Sequence, residues 1–163
     1  MKIFMKKIGA LLLLLSSLVT VVEAAPQFKD YPVDVYTGKP HSFVADKDTR
    51  EYRTRFREVG QQIDFAGHYA LGGFGCGTSC FVPIAVNLVS GKGTYLVGAT
   101  TGCYKEGGYV DPEYHYKPNS RLFIFAGDLD SDSDGGCFVR YYVEKDGKLT
   151  LIDKKPFTKK PEQ

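Results

Sequence analysis

Four cysteines constrain this chain more than any other feature: Cys76, Cys80, Cys103 and Cys137. An even number of cysteines predicts disulfides when the chain folds in an oxidising compartment. Three pairings are possible, and we favour Cys76–Cys80 with Cys103–Cys137. The first pair brackets a short, flexible turn that brings two Cα atoms within bridging distance. The second closes a loop of about 35 residues, worth roughly 3–4 kcal/mol in the chain-entropy model. Four thiolates on zinc are the alternative, but the spacings lack the paired knuckles of a zinc ribbon.

The first 24 residues give the reason to expect an oxidising compartment. Lysines within residues 1–7 precede an apolar run over residues 8–22, and small or branched residues stand at Val22 and Ala24. This order is typical of a secretory signal peptide cleaved after Ala24. The apolar run is about 15 residues long, whereas a spanning helix needs about 20, so we expect no membrane anchor.

The predicted mature chain, residues 25–163, carries no formal net charge. Removing the leader's three lysines and one glutamate from the 21 basic and 19 acidic residues leaves 18 of each sign. Nothing then favours attraction to nucleic acid, and we expect no such partner. The hydrophobic and charged fractions, 43% and 25%, are those of an ordinary globular protein. We expect one periplasmic or secreted domain with a core over about residues 28–155 and a basic C-terminal tail.

The residue patterns predict a mainly β, α+β fold: an antiparallel sheet or small barrel, braced by disulfides, with one N-terminal amphipathic helix. For the helix, Asp48 is the expected cap and Glu51 completes a capping-box pattern. An apolar stripe then recurs at spacings of four, three and four residues. Its members are Tyr52, Phe56, Val59 and Ile63. Runs rich in β-branched and aromatic residues predict the strands. These runs are 65–74, 81–88, 94–98, 122–126, 137–144 and 149–152.

Four short motifs occur in a fixed order along the chain. They are Phe65-Ala66-Gly67-His68-Tyr69, Gly75-Cys76-Gly77-Thr78-Ser79-Cys80, Ser120-Arg121-Leu122-Phe123-Ile124-Phe125 and Tyr141-Tyr142-Val143. The set resembles a group of small exported bacterial proteins that share a Gly-Cys-Gly-Thr-x-Cys motif and have no assigned activity. The resemblance covers most of the predicted mature domain. It implies an exported bacterial setting and supplies no mechanism.

Cys76 and His68 are the candidate catalytic residues. A thiolate beside an imidazole is a nucleophile–base pair, and the surrounding glycines offer backbone N–H donors for an oxyanion. The pair predicts, as an alternative function, a small exported cysteine hydrolase. A Cys76–Cys80 disulfide would leave no nucleophile, so we favour a protein without catalytic residues.

Alternating carboxylates make a candidate metal site at Asp128, Asp130, Asp132 and Asp134. Residues 130–135 match the opening of a calcium loop. The twelfth position is Tyr141, where a bidentate Glu would close an EF-hand, and the loop leads into a predicted strand. We expect a solvated acidic turn. The second alternative is a weak calcium site that stabilises a structural protein; no other cofactor is expected.

A long loop over residues 99–119 carries the candidate binding residues. They are Tyr104, Tyr109, Tyr114, His115 and Tyr116. Tyrosine offers a large contact area and a hydroxyl at low entropic cost, which suits recognition of protein or sugar. The alternative is that these rings pack on the sheet as a flap. We therefore expect an exported non-enzymatic binding protein, in its most specific form an inhibitor or immunity-type protein acting on a cell-envelope enzyme. Its partner would be a protein or cell-wall glycan of the envelope.

Overall fold

The computed structural model of the protein describes residues 24–105, 107–130 and 136–158. Antiparallel strands dominate this part of the chain, as predicted. The elements are a 3₁₀ turn (Phe28–Asp30), α1 (Arg53–Arg57), β1 (Tyr69–Gly77), β2 (Cys80–Asn87), β3 (Gly93–Tyr95), β4 (Thr100–Thr101), β5 (Cys103–Lys105), β6 (Gly108–Val110), β7 (Glu113–His115), β8 (Leu122–Leu129), β9 (Phe138–Lys145) and β10 (Lys148–Pro156).

One curved sheet holds most of these strands, in the order β1-β2-β4-β8-β9-β10. β3 pairs with β2, β7 pairs with β8, and β5 and β6 form a separate hairpin. The curvature brings the start of β1 to β9, where the Tyr69 hydroxyl lies 3.4 Å from Oε1 of Glu144. Among the described residues β1 and β10 do not pair, so the architecture is an open curved sheet, the first of the two predicted forms.

The central strand, β8, is buried on both faces because layers cover both sides of the sheet. Successive side chains of a strand point to opposite faces. Leu122, Ile124 and Ala126 pack with Cys103 and Phe28 on one face. On the other face, the concave side of the sheet, the odd-numbered residues of β8 meet β1, β2 and β9. This second cluster contains Phe123, Phe125, Leu129, Tyr69, Ala85 and Tyr142.

The predicted helix over residues 48–63 is reduced to the five residues of α1. The capping box does not form. Asp46, and not Asp48, accepts hydrogen bonds from the N–H and the hydroxyl of Thr49, at 3.0 and 2.8 Å. Such side-chain-to-backbone bonds stabilise a turn in competition with a helix, which delays the helix start to Arg53.

The predicted apolar stripe nevertheless covers the sheet. Phe56 is fully buried and packs with Ala70 and Ile84 on the convex side of β1 and β2. Val59 and Ile63 lie against the same cluster. The spacing therefore predicts the apolar face correctly, although most of that face is not helical.

Both favoured disulfides form. The Cα atoms are 5.1 Å apart for Cys76–Cys80 and 5.7 Å apart for Cys103–Cys137, within the range a disulfide requires. Two disulfides in this β fold are consistent with an extracytoplasmic protein. No helix among the described residues is long and apolar enough to cross a membrane. The predicted signal peptide, apart from its last residue, lies outside the described residues and stays a prediction.

Candidate functional site

The five candidate binding residues of the 99–119 loop separate into three groups. Tyr104 and Tyr109 lie on the β5–β6 hairpin, with their rings in edge contact at 5.2 Å. The Tyr109 hydroxyl accepts a hydrogen bond from the N–H of Gly102, whereas Tyr104 is 84% exposed. His115 lies in β7, with Nε2 3.3 Å from Oε2 of Glu113. The remaining two, Tyr114 and Tyr116, line a cavity.

This cavity, which we call the aromatic pocket, lies between the β1–β2 hairpin and residues 111–116 and has a volume of about 520 Å³. Phe81, Tyr114, Tyr116 and Phe123 supply its aromatic walls. Leu71, Gly72 and Gly73 of β1 form one side, and Ser79 and Cys80 bring the first disulfide to its rim. Among the described lining residues, Asp111 is the single charged one. A concave, mostly apolar site with few polar groups is typical of ligand binding.

Tyr114 is held in place before any ligand arrives. Thr100 Oγ1 donates a hydrogen bond to the carbonyl of Phe81, so it accepts its second bond from the Tyr114 hydroxyl. The Tyr114 ring also stacks on Phe125 at 5.4 Å. Burial raises the pKa of Tyr114, so its hydroxyl stays protonated and able to donate up to a higher pH than that of a free tyrosine. This wall of the pocket is therefore preorganised.

Tyr116 stands where the aromatic pocket meets β1. Its ring lies parallel to that of Phe123 at 6.3 Å and is 41% exposed. Burial, and then the negative charge of Asp64, raise the pKa of Tyr116. Asp64 also accepts a hydrogen bond from the N–H of Leu71 at 2.9 Å. Asp64 thus holds the outer edge of β1 at Leu71, and its charge reaches Tyr116 in the pocket wall.

Cys76 and His68 are not brought together. His68 precedes β1 and Cys76 lies near its far end, so an extended strand separates them by about 26 Å. Cys76 is bonded to Cys80 and carries no thiolate. The His68 ring instead packs on Tyr69, at 4.3 Å between centroids.

His68 lines a second cavity, the polar cleft, which has a volume of about 750 Å³ and lies at the opposite end of β1. Charged residues of both signs border it, among them Lys92, Arg121 and Glu144. Glu144 accepts a bond from the N–H of Gly147 at 2.9 Å and lies beside the Tyr69 hydroxyl. Burial and the charge of Glu144 raise the pKa of Tyr69 to about 12. These contacts tie the β9–β10 turn to β1.

Comparison with family models, curated proteins and solved structures gives no match. The resemblance to small exported bacterial proteins stays a prediction.

The acidic loop gives no metal centre within the described residues. Asp128 accepts a hydrogen bond from the N–H of Gly136 at 3.0 Å, and the N–H of Asp130 donates to the carbonyl of Ala99. Asp132 and Asp134 lie outside the described residues. In the part of the chain that the structure covers, no three His, Cys, Asp or Glu residues converge. Calcium binding stays a prediction.

The sequence indicates both tyrosines of the described pocket lining, Tyr114 and Tyr116, but not the rest of the pocket. Phe81 and Phe123 looked like ordinary strand residues, and Asp111 like a loop residue. One signal was available, because paired glycines inside a strand, here Gly72 and Gly73, often mark a place that another group approaches closely.

Proposed function

We propose that this chain is an exported binding protein without catalytic activity, and that its aromatic pocket takes up an apolar side chain of a protein partner in the cell envelope. One observation supports this most directly: Tyr114 and Phe123 are fixed by their own contacts around a cavity that opens beside β1. Preformed aromatic pockets that receive one anchoring side chain are frequent centres of protein interfaces.

The pocket chemistry favours a protein partner over a cell-wall glycan. A sugar presents hydroxyl groups over most of its surface, and each buried hydroxyl needs a hydrogen-bonding partner. Among the described residues around the aromatic pocket, Asp111, Ser79 and the hydroxyls of Tyr114 and Tyr116 supply the polar side-chain groups, and the Tyr114 hydroxyl is already bonded to Thr100. The rest of the lining is mostly apolar. An aromatic or branched aliphatic side chain fits this lining better.

The most specific form of the proposal is an inhibitor or immunity-type protein that acts on an envelope enzyme. The disulfide at the pocket rim braces the β1–β2 turn. This bracing supports the proposal, because an inhibitory surface must keep its shape. The separation of Cys76 from His68 supports a role without catalysis.

A fluorescence titration tests the pocket. The chain has no tryptophan, so N-acetyltryptophanamide can be excited selectively and its emission followed as the indole enters an apolar site. A single buried aromatic group contributes about 2–3 kcal/mol, which corresponds to a Kd of about 6–30 mM. We expect Tyr116→Ala to weaken binding by about fivefold, because it removes one wall.

Tyr104→Ala is the matched control, because it deletes the same side chain from an exposed position on the β5–β6 hairpin. It should leave the titration unchanged. If the emission of N-acetyltryptophanamide does not shift with the natural protein, the proposed pocket is contradicted. An equal loss of affinity in Tyr116→Ala and Tyr104→Ala would also contradict it.

A further inference from the structure

The outer edge of β1 is exposed next to the aromatic pocket. β1 is the terminal strand of the sheet, and Gly73 and Gly75 are exposed in it. Upstream, the N–H of Leu71 is bonded to Asp64, so the open stretch of the edge begins after Leu71.

The backbone groups of Gly73 and Gly75 point away from β2. Their register partners on β2 are Pro83 and Phe81. The Pro83 carbonyl accepts from the N–H of Leu96, and the Phe81 carbonyl accepts from Thr100, both on the side of β2 opposite to β1. In an antiparallel pair, residues opposite each other point their polar groups both inward or both outward. Gly73 and Gly75 therefore direct N–H and C=O groups to the open edge, and in the described ranges no backbone group outside the sheet bonds them.

An extended peptide laid along this edge would continue the sheet. Its backbone would bond to Gly73 and Gly75, and every second side chain would face the concave side, where the pocket lies. Leu71 and Gly73 belong both to the edge strand and to the pocket wall. One apolar side chain of the added strand can therefore enter the pocket while its backbone is paired.

The charges near the pocket mouth indicate which residues of the bound segment can flank that apolar side chain. Asp111 is exposed on the rim, and Asp64 adds a second negative charge at the edge of β1, where it binds the N–H of Leu71. Among the described residues that line the pocket, none is basic. A segment with Lys or Arg next to its apolar residue is therefore complementary in charge.

We infer that the protein partner presents an extended segment in which a basic residue flanks an apolar one, and that this segment adds to β1 as a further strand. The inference rests on the proposed function, since it uses the same pocket. It adds the conformation and the charge of the segment that is bound.

Gly75 offers a matched pair of variants for the strand contact. A Cβ atom at Gly75 would meet a single neighbour, the carbonyl of Cys80 at 3.9 Å, so Gly75→Ala fits. Gly75→Pro is its counterpart, because edge strands accept proline where the missing N–H would face solvent. Alanine keeps the edge N–H, whereas proline removes it. Gly73 is unsuitable, because a Cβ atom there would overlap the Phe81 ring.

The test compares three probes: N-acetyltryptophanamide, a blocked pentapeptide with Trp between two Lys residues, and the same peptide with Glu in place of Lys. We expect the basic peptide to bind more than fivefold tighter than the acidic one, and Asp111→Asn to reduce that ratio. Gly75→Pro should weaken binding of the basic peptide by about three- to tenfold, the effect of losing one hydrogen bond. Gly75→Ala should bind this peptide within about twofold of the natural protein. N-acetyltryptophanamide should bind both Gly75 variants as it binds the natural protein.

A basic peptide whose Trp and flanking amides are N-methylated tests the reciprocal bonds, those that the peptide N–H groups donate to carbonyls of the β1 edge. It leaves the protein unchanged, and it too should bind about tenfold more weakly. Equal binding to Gly75→Pro and Gly75→Ala, with no effect of N-methylation, would overturn strand addition and leave the pocket intact. Equal binding of the acidic peptide would overturn the charge preference. Failure of all three probes would instead overturn the proposed function itself.

Discussion

The two disulfides lie in contrasting regions of the molecule. Cys76–Cys80 joins residues four apart at the exposed β1–β2 turn, where it borders the aromatic pocket. Cys103–Cys137 joins residues 34 apart, and Cys103 is buried against the central strand β8. The first bridge shapes a surface, whereas the second holds together distant parts of the chain.

The same contrast separates the tyrosines of the 99–119 loop. Tyr114 packs on Phe125 of β8 and is fixed, while Tyr104 is exposed on a short hairpin. Burial is most continuous along β8 and β9, so we expect stability to be concentrated there. The proposed binding surface lies where these strands support the pocket beside the open edge of β1. A braced core and an unpaired strand edge therefore meet at the aromatic pocket.

Removing the Cys103–Cys137 bridge should have the largest effect. The double variant Cys103→Ala/Cys137→Ala frees a loop of about 35 residues in the unfolded chain, and we expect a loss of about 4 kcal/mol in the free energy of unfolding. Urea denaturation measures it. The folded fraction should still bind N-acetyltryptophanamide normally, because the pocket does not contact this bridge. A loss below about 1 kcal/mol would contradict the assignment of stability to this region.

Tyr69 should give the next largest effect, at alkaline pH. Its pKa in the folded protein is about 12, against about 10 in the unfolded chain. A raised folded-state pKa contributes stability that is complete below pH 10 and is lost as the pH rises from 10 to 12. Two pKa units correspond to about 2–3 kcal/mol at most. Unfolding free energies measured between pH 9 and pH 12 should fall by less in Tyr69→Phe than in the natural protein.

Tyr114→Phe provides the comparison for that experiment. Burial also raises the pKa of Tyr114, but no negative charge adds to the effect as Glu144 does at Tyr69. We expect its alkaline profile to change less than that of Tyr69→Phe. Indistinguishable profiles for Tyr69→Phe and the natural protein would show that the Tyr69–Glu144 contact does not join β1 to β9 in solution.

Much of the scaffold could be predicted because its signals are local. β8 and β9 are runs of β-branched and aromatic residues, and the disulfide pairing follows from loop length and turn composition. The helix was overestimated because the spacing of Phe56, Val59 and Ile63 fits a helix face but does not require one. Asp46 bonded to Thr49 stabilises a turn instead, and the stripe packs on the sheet with one short helix.

The pocket was less predictable because it is assembled from distant segments. Phe81, Asp111 and Phe123 meet through strand pairing across more than 40 positions of sequence, and no local pattern marks them as neighbours. The open edge of β1 was equally hidden, since it depends on which strand ends the sheet. The alternation that turns Gly73 and Gly75 outward can be read only once the partners of Pro83 and Phe81 are known.

Removing the Cys76–Cys80 bridge should have the smallest effect on stability and a distinct effect on binding. Its five-residue loop is worth at most about 2 kcal/mol in the chain-entropy model. Within the turn, Ser79 has a φ of 57°, a left-handed conformation that costs a non-glycine residue about 1 kcal/mol.

In Cys76→Ser/Cys80→Ser the turn is free to relax, and Ser79 and position 80 then move at the pocket rim. We expect N-acetyltryptophanamide to bind several-fold more weakly to this variant, although it unfolds at higher urea than Cys103→Ala/Cys137→Ala. Adding Ser79→Gly, which removes the cost of the left-handed φ, should restore part of the lost affinity. Unchanged affinity in the double serine variant would mean that the bridge braces the turn without shaping the pocket.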